Sequence, residues 1–361
     1  MIGGTLWRYL FRRYLVMTGW FVLGMSALIF LVDFTEFASR ASNLPDYTIQ
    51  LGMLLSLFRL PGIIVVTAPF LILFSSMSVL LLLNRKYELV VARSSGVSAW
   101  QFLSPLCLAS VLIGIVLLTV VNPISANALS LVHEYEVNLG FQRGTVGEVK
   151  RTPWIRQRTN EGTTIIGAGS VARNGLLLGD AKFTRFDDEG DIVERLDAKS
   201  ALLEKGQWVL TDVKRIRGKG PKELSSAIIP TNLKPKSVEE SLAAPEAISF
   251  FQLPEKIEIA RSFGLGANAF AMQYQYLLSL PLLLVAMTLI AATVSLKFIR
   301  FGQSLGIILA GILSGCLLYV ISVLAKSFGT AGTVPPFVAA WLPVIVALAL
   351  GVTVLLHKED G

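Results

Sequence analysis

The sequence predicts a membrane α-helical fold of six transmembrane helices, with an all-β extracytoplasmic domain inserted between the third and the fourth. Three observations carry this. Of 361 residues, 53% are hydrophobic and 16% charged; six long stretches lack charge; and a central segment is polar and strand-like. The uncharged stretches are Tyr14 to Val32, Leu60 to Asn84, Phe102 to Val121, Ala269 to Leu296, Phe301 to Ala325 and Val334 to Leu356. Each supplies about the 20 apolar residues a helix needs to cross about 30 Å of hydrocarbon.

The first span follows Arg8, Arg12 and Arg13, as a signal peptide would, but about 19 uncharged residues exceed an h-region of about 7 to 15, so it reads as an uncleaved anchor. Arg8, Arg12, Arg13, Arg85, Lys86, Arg93, Lys297, Arg300 and Lys358 flank the spans on one side; only Arg40, Arg59 and Lys326 flank them on the other. This asymmetry places both termini and the loop from Asn84 to Ser98 in the cytoplasm, with the large middle segment outside it. The net charge of +7 belongs to these flanks, because Asn122 to Asn268 holds 20 basic and 19 acidic residues. No nucleic-acid partner is expected.

The chain therefore divides into a three-span half (1–121) with a cytoplasmic helix near 85–95, an inserted domain with a connecting helix (122–268), and a second three-span half (269–361). In the insert, "AKFTRFDDEGDIVERLDA" alternates on both sides of a turn at Asp187 to Asp191, and "SALLEKGQWVLTDVKRIRG" repeats the pattern around Glu204 to Gln207. "TTIIGAGSV" and "NGLLLGDAKF" add short strands, and the spacing favours a sandwich or β-jellyroll. Phe183, Trp208 and Leu210 either line an open interior or form an ordinary core. A helix begins near Pro254 and stops by Gly264.

An internal engine is not apparent. The Gly-Lys pair in "RGKGPKE" lacks the rest of a phosphate loop; no ionisable group lies at mid-depth in a span, as a proton- or ion-driven carrier would need; and two cysteines and two histidines offer neither a disulfide framework nor a metal site. An energy-consuming membrane protein built this way borrows its engine. In "NRKYELVVARSSGVS" a helix from about Arg85 to Ser94 sets Tyr87, Val90, Val91 and Ser94 on one stripe, Arg85 and Glu88 on a second, and Lys86 and Arg93 on a third, with Gly96 as the stop. Such a helix suits a groove on a partner protein or the anionic inner leaflet, and the residues alone leave both open.

Five features stand together along the whole chain: "LWRYLFRRYL", "ELVVARSSG", the "NPIS" exit from the third span, the β-rich insert and "VPP" before the last span. On these the chain resembles the LptF/LptG permeases, inner-membrane subunits of the lipopolysaccharide export ABC transporter; "TNLKP" at Thr231 to Pro235 is closer to the LptG branch. The resemblance implies a non-catalytic permease that binds no cofactor, with ATP and Mg held by a cytoplasmic LptB-like ATPase dimer. Arg85, Tyr87, Glu88, Val90, Val91 and Arg93 would form the coupling helix against that dimer, Glu88 being the acidic contact. A related LptF-like permease would complete a heterodimer, and LptC-like and LptA-like bridge proteins would receive lipopolysaccharide from a periplasmic β-jellyroll. The first and fifth spans would form lateral gates, giving Phe30, Asp33, Phe34, Leu317 and Ile321 as substrate contacts. Where the family often carries lysines near the outer end of the first span, this chain has Asp33 and Glu36, so Arg143, Lys150 and Arg151 are candidates for the missing positive charge. The competing reading is a membrane scaffold that presents the β-domain to envelope partners without transport. A four-span mechanotransmitting permease is disfavoured by the span count.

Overall fold

In the computed structural model, described over residues 4–42, 48–138, 154–159, 162–172, 177–187, 191–204, 206–217, 220–231, 245–262, 267–295 and 305–359, six helices are long and apolar enough to cross a membrane. They are α1 (Gly4–Ala41), α2 (Ile49–Arg85), a third span that begins as α4 (Ala99–Val116), α7 (Asn268–Ser295), α8 (Leu305–Ala331) and α9 (Pro336–Glu359). A short α3 (Glu88–Ser94) joins α2 to α4. Several helices outrun their uncharged stretch by a turn or more, since their polar ends reach beyond the hydrocarbon.

The helix of the third span does not stop at "NPIS". A π-helical turn, Leu117–Val121, carries α4 into α5 (Asn122–Asn138). Pro123 has no N–H to give the ladder, and local widening of a helix is one way to absorb that loss. The Asn122 side chain accepts a hydrogen bond from the Phe250 N–H at 2.8 Å.

Shape and hydroxyl pairing hold the spans together, as expected where lipid is as apolar as leucine. A Cβ on Gly114 of α4 would sit 2.5 Å from Pro281 Cα of α7, so these two backbones meet directly. One turn away, the Tyr14 hydroxyl of α1 lies 3.1 Å from Ser76 Oγ of α2 and 2.8 Å from Ser110 Oγ of α4; Ser110 Oγ is 2.7 Å from Thr288 Oγ1 of α7. Thr18 donates to Ser75 at 3.1 Å. All are buried, so four spans share one hydroxyl cluster.

The insert forms a second compact unit (142–245 with 252–270). Its strands are β1 (Trp154–Thr159), β2 (Gly162–Gly167), β3 (Ser170–Ala172), β4 (Leu177–Phe186), β5 (Ile192–Glu204), β6 (Gln207–Ile216) and β7 (Pro221–Pro230), followed by α6 (Leu253–Ser262). They make one antiparallel sheet in the order β1-β2-β4-β5-β6-β7, with β3 also on β4. Among the described residues the strands form one hydrogen-bonded sheet, the inserted β domain that the sequence predicts.

The pairing of β4 to β7 steps over Asp180, Lys199, Asp212 and Ser225, which lie opposite one another in a row across the sheet. Asp180 and Asp212 have φ of 49° and 52°, a region that aspartate visits more readily than most residues. At this row the inward alternation slips by one residue in every strand: Leu178 then Ala181, Ala198 then Ala201, Leu210 then Val213, Leu224 then Ala227. Phe183, Trp208 and Leu210 are fully buried, and Phe183 meets Trp208 edge-to-face with centroids 6.0 Å apart. They form a filled core, and the open interior is not their role here. Glu194, also buried, is bracketed by Arg185 at 3.2 Å and Arg215 at 2.6 Å.

Candidate functional site: the helix between the second and third spans, and the first span

The helix between the second and third spans starts three residues later than the sequence suggested. Arg85 ends α2, and Tyr87 takes a left-handed conformation (φ 59°, ψ 10°) that breaks the helical path before Glu88. Arg85 therefore belongs to the second span. The other end behaves as expected: Gly96 has φ 81°, the Gly96 N–H donates to the Arg93 carbonyl at 2.9 Å and the Val97 N–H to the Ala92 carbonyl at 3.1 Å, the paired bonds that close a helix on a glycine. Ser98 and Gln101 then cap each other's backbone to start α4.

Short connections on both sides fix how α3 faces. Leu89 is buried against the rest of the chain, while Tyr87 and Val91 are 68% and 63% exposed and stand one turn apart. Arg93 is exposed too, and Val90 is half-buried. The stripe foreseen from periodicity is thus narrowed to Tyr87, Val91 and the Ser94 end.

Glu88 points elsewhere. Its carboxylate accepts from Arg13 Nη1 of α1 at 3.0 and 3.1 Å and from the Tyr9 hydroxyl at 3.1 Å. Arg13 also donates to the Tyr9 hydroxyl, with its guanidinium 5.4 Å from the Tyr9 ring centre. Tyr9 and Arg13 were not foreseen as site residues. Their spacing of four on a helix was visible, but nothing in the sequence pointed 75 positions ahead to Glu88.

With this arrangement on the page, comparison with known proteins is informative. The family model for the lipopolysaccharide export system permease LptF/LptG matches residues 8–357. The chain belongs to this family. No curated protein matches it. LptF/LptG membership makes the chain a lipopolysaccharide export permease subunit and a multi-pass inner-membrane protein.

The LptF/LptG gate candidates lie on the two least enclosed spans. Within their apolar windows, α1 is 11% buried and α8 22%, against 61% for α2 and α7. On α8, Leu309, Leu313, Leu317, Ile321, Leu324 and Phe328 form an exposed stripe at helical spacing. On α1, Phe30 and Phe34 stack in parallel with centroids 6.0 Å apart, both half-buried. Asp33 pairs with Arg59 of α2 at 3.4 Å, both side chains under one-fifth exposed, and Arg59 sits 4.7 Å from the Phe37 ring centre. The acidic charge of Asp33 is thereby matched within the chain. Arg143, Lys150, Arg151, Lys297, Arg300 and the Asn232 to Pro235 part of "TNLKP" lie outside the described residues.

Proposed function

We propose that this chain is the LptG-like half of a permease pair that extracts lipopolysaccharide from the inner membrane under the power of a cytoplasmic LptB-like ATPase dimer. The observation that carries this is the exposed aromatic and aliphatic ridge of Tyr87 and Val91 on a short helix tied between two spans. An ATPase groove would bury the ridge, and closure of the dimer on ATP would push α3 against the spans. The chain contributes no catalytic residue; ATP and Mg belong to the partner.

The unpartnered stripes of α1 and α8 fit a heterodimer with an LptF-like permease, each first span facing the other's fifth span. Phe30, Phe34, Leu317 and Ile321 would then border the lateral entrances, offering apolar contact to acyl chains. Asp33, held by Arg59, would orient the gate rather than attract phosphate. The basic loops favour both termini and α3 on the cytoplasmic side, with the sheet in the periplasm handing lipid to LptC-like and LptA-like bridge proteins.

The test is co-purification with the host's ATPases in detergent. Wild type should retain an ATPase, and Tyr87→Ala with Val91→Ala should lose it while still inserting. Wild type retaining none, under conditions that keep the permease pair intact, would favour a scaffold instead.

A further inference from the structure

We propose that Tyr9 and Arg13 fasten the coupling helix to the first span, so that movement of α3 reaches the gate helix directly and not only through α2 and α4. This rests on the docking function proposed above and deepens it.

The attachment of α3 to the rest of the chain is slender. The helix has seven residues and one buried apolar side chain, Leu89, and the turn before it is broken at Tyr87. Against that, both oxygens of Glu88 accept from Arg13, and Tyr9 adds a further donor. One guanidinium nitrogen set between the two carboxylate oxygens, with the tyrosine hydroxyl as a second donor, holds the carboxylate by charge-assisted bonds. Arg13 is 16% exposed at its side chain and Glu88 33%, so salt and water screen the pair less than at an open surface. Arg8 and Arg12, its neighbours in the basic flank, are exposed. An arginine serving only to mark the cytoplasmic side would resemble them.

The pair meets α1 where that helix can act as a lever. Leu10, Tyr14 and Thr18 are buried, joining the inner end of α1 to α2, α4 and α7 through the hydroxyl cluster. From Gly19 to Glu36 every residue is half-buried or exposed, with Asp33 held by Arg59, and full burial returns at Phe37 and Ala41. A displacement applied to Glu88 would act on one end of a rod that is less enclosed along its middle and whose far third carries Phe30 and Phe34.

The experiment uses the intact complex of this chain, its partner permease and the ATPase in lipid nanodiscs, and reads lipopolysaccharide released per ATP hydrolysed. In a chain with Cys107 and Cys316 changed to Ser, Arg13→Cys with Glu88→Cys removes the pair, and a short bismaleimide restores it covalently. The unlinked variant should release about tenfold less lipid per ATP, the scale set by a charge-assisted hydrogen bond, and linking should return release to the parent level. Linking that leaves release low, or an unlinked variant that matches the parent, overturns the proposal. Should the double variant fail to assemble, Arg13→Gln against Arg13→Lys decides: Gln should show the loss and Lys, which keeps the charge, should recover most of it, whereas equal release from both overturns it. A parent complex that retains no ATPase or releases no lipid refutes the docking function itself, before any substitution is considered.

Discussion

Leu89 and Val91 stand two positions apart on one helix, and their fates on truncation should be opposite. Val91 is 63% exposed and Leu89 5%. Fully burying a valine stabilises by roughly 1.5 to 3 kcal/mol, so covering the exposed two-thirds of Val91 is worth about 1 to 2 kcal/mol. Tyr87, at 68% exposure and with a larger surface, adds at least as much, and the two together set about 3 kcal/mol, or roughly a hundredfold in dissociation constant. Val91→Ala with Tyr87→Ala should therefore weaken ATPase binding about a hundredfold, measured by biolayer interferometry on the nanodisc-held permease pair, with little change in thermal stability. Leu89→Ala should do the reverse, lowering the chain's own stability by about 2 to 4 kcal/mol. The reasoning is refuted if Leu89→Ala abolishes binding in a chain that melts normally while the Tyr87 and Val91 pair binds like wild type.

Other substitutions test the packing that holds the site. Gly114→Ala should lower stability by roughly 1 to 3 kcal/mol because the new Cβ meets the Pro281 backbone, which cannot step aside; Gly24→Ala, with open space around it, should be neutral or slightly stabilising in the same thermal assay. Tyr14→Phe should cost about 0.5 to 1 kcal/mol, the scale of hydroxyl pairs between spans, read as a lower denaturation midpoint in detergent. Trp208→Ala, at the centre of the sheet core, should cost about 3 to 5 kcal/mol and be seen as early proteolysis of the insert. Arg59→Met leaves Asp33 without its cation and should reduce lipid release while ATPase binding is unchanged.

Hydropathy alone located the spans, because crossing a bilayer demands length and apolarity and little else. Their ends were less legible. A π turn carries the helix on through Pro123 of "NPIS", and Tyr87 gives no sign in its residue type of the left-handed turn that starts α3 late. The strands were legible from alternation, as was the closing role of Gly96. The slip across the sheet was written in the sequence as three-residue steps such as Leu178 to Ala181 and Leu210 to Val213. An alternation read strand by strand hides it, since only the shared register shows that four slips form one row. The short helix after the second span was legible from local pattern, but periodicity could not say which stripe the chain itself would consume. Glu88 turns to α1, where its partners Arg13 and Tyr9 lie 75 and 79 positions away.

The most direct measurement is ATP-dependent transfer of lipopolysaccharide out of proteoliposomes that hold this chain, a related permease and the ATPase, supplied with a periplasmic bridge protein as acceptor. Transfer that requires ATP and falls at least tenfold with Tyr87→Ala and Val91→Ala is the expected result. Transfer that proceeds equally without ATP, or no transfer from a complex that binds and hydrolyses ATP, would contradict it.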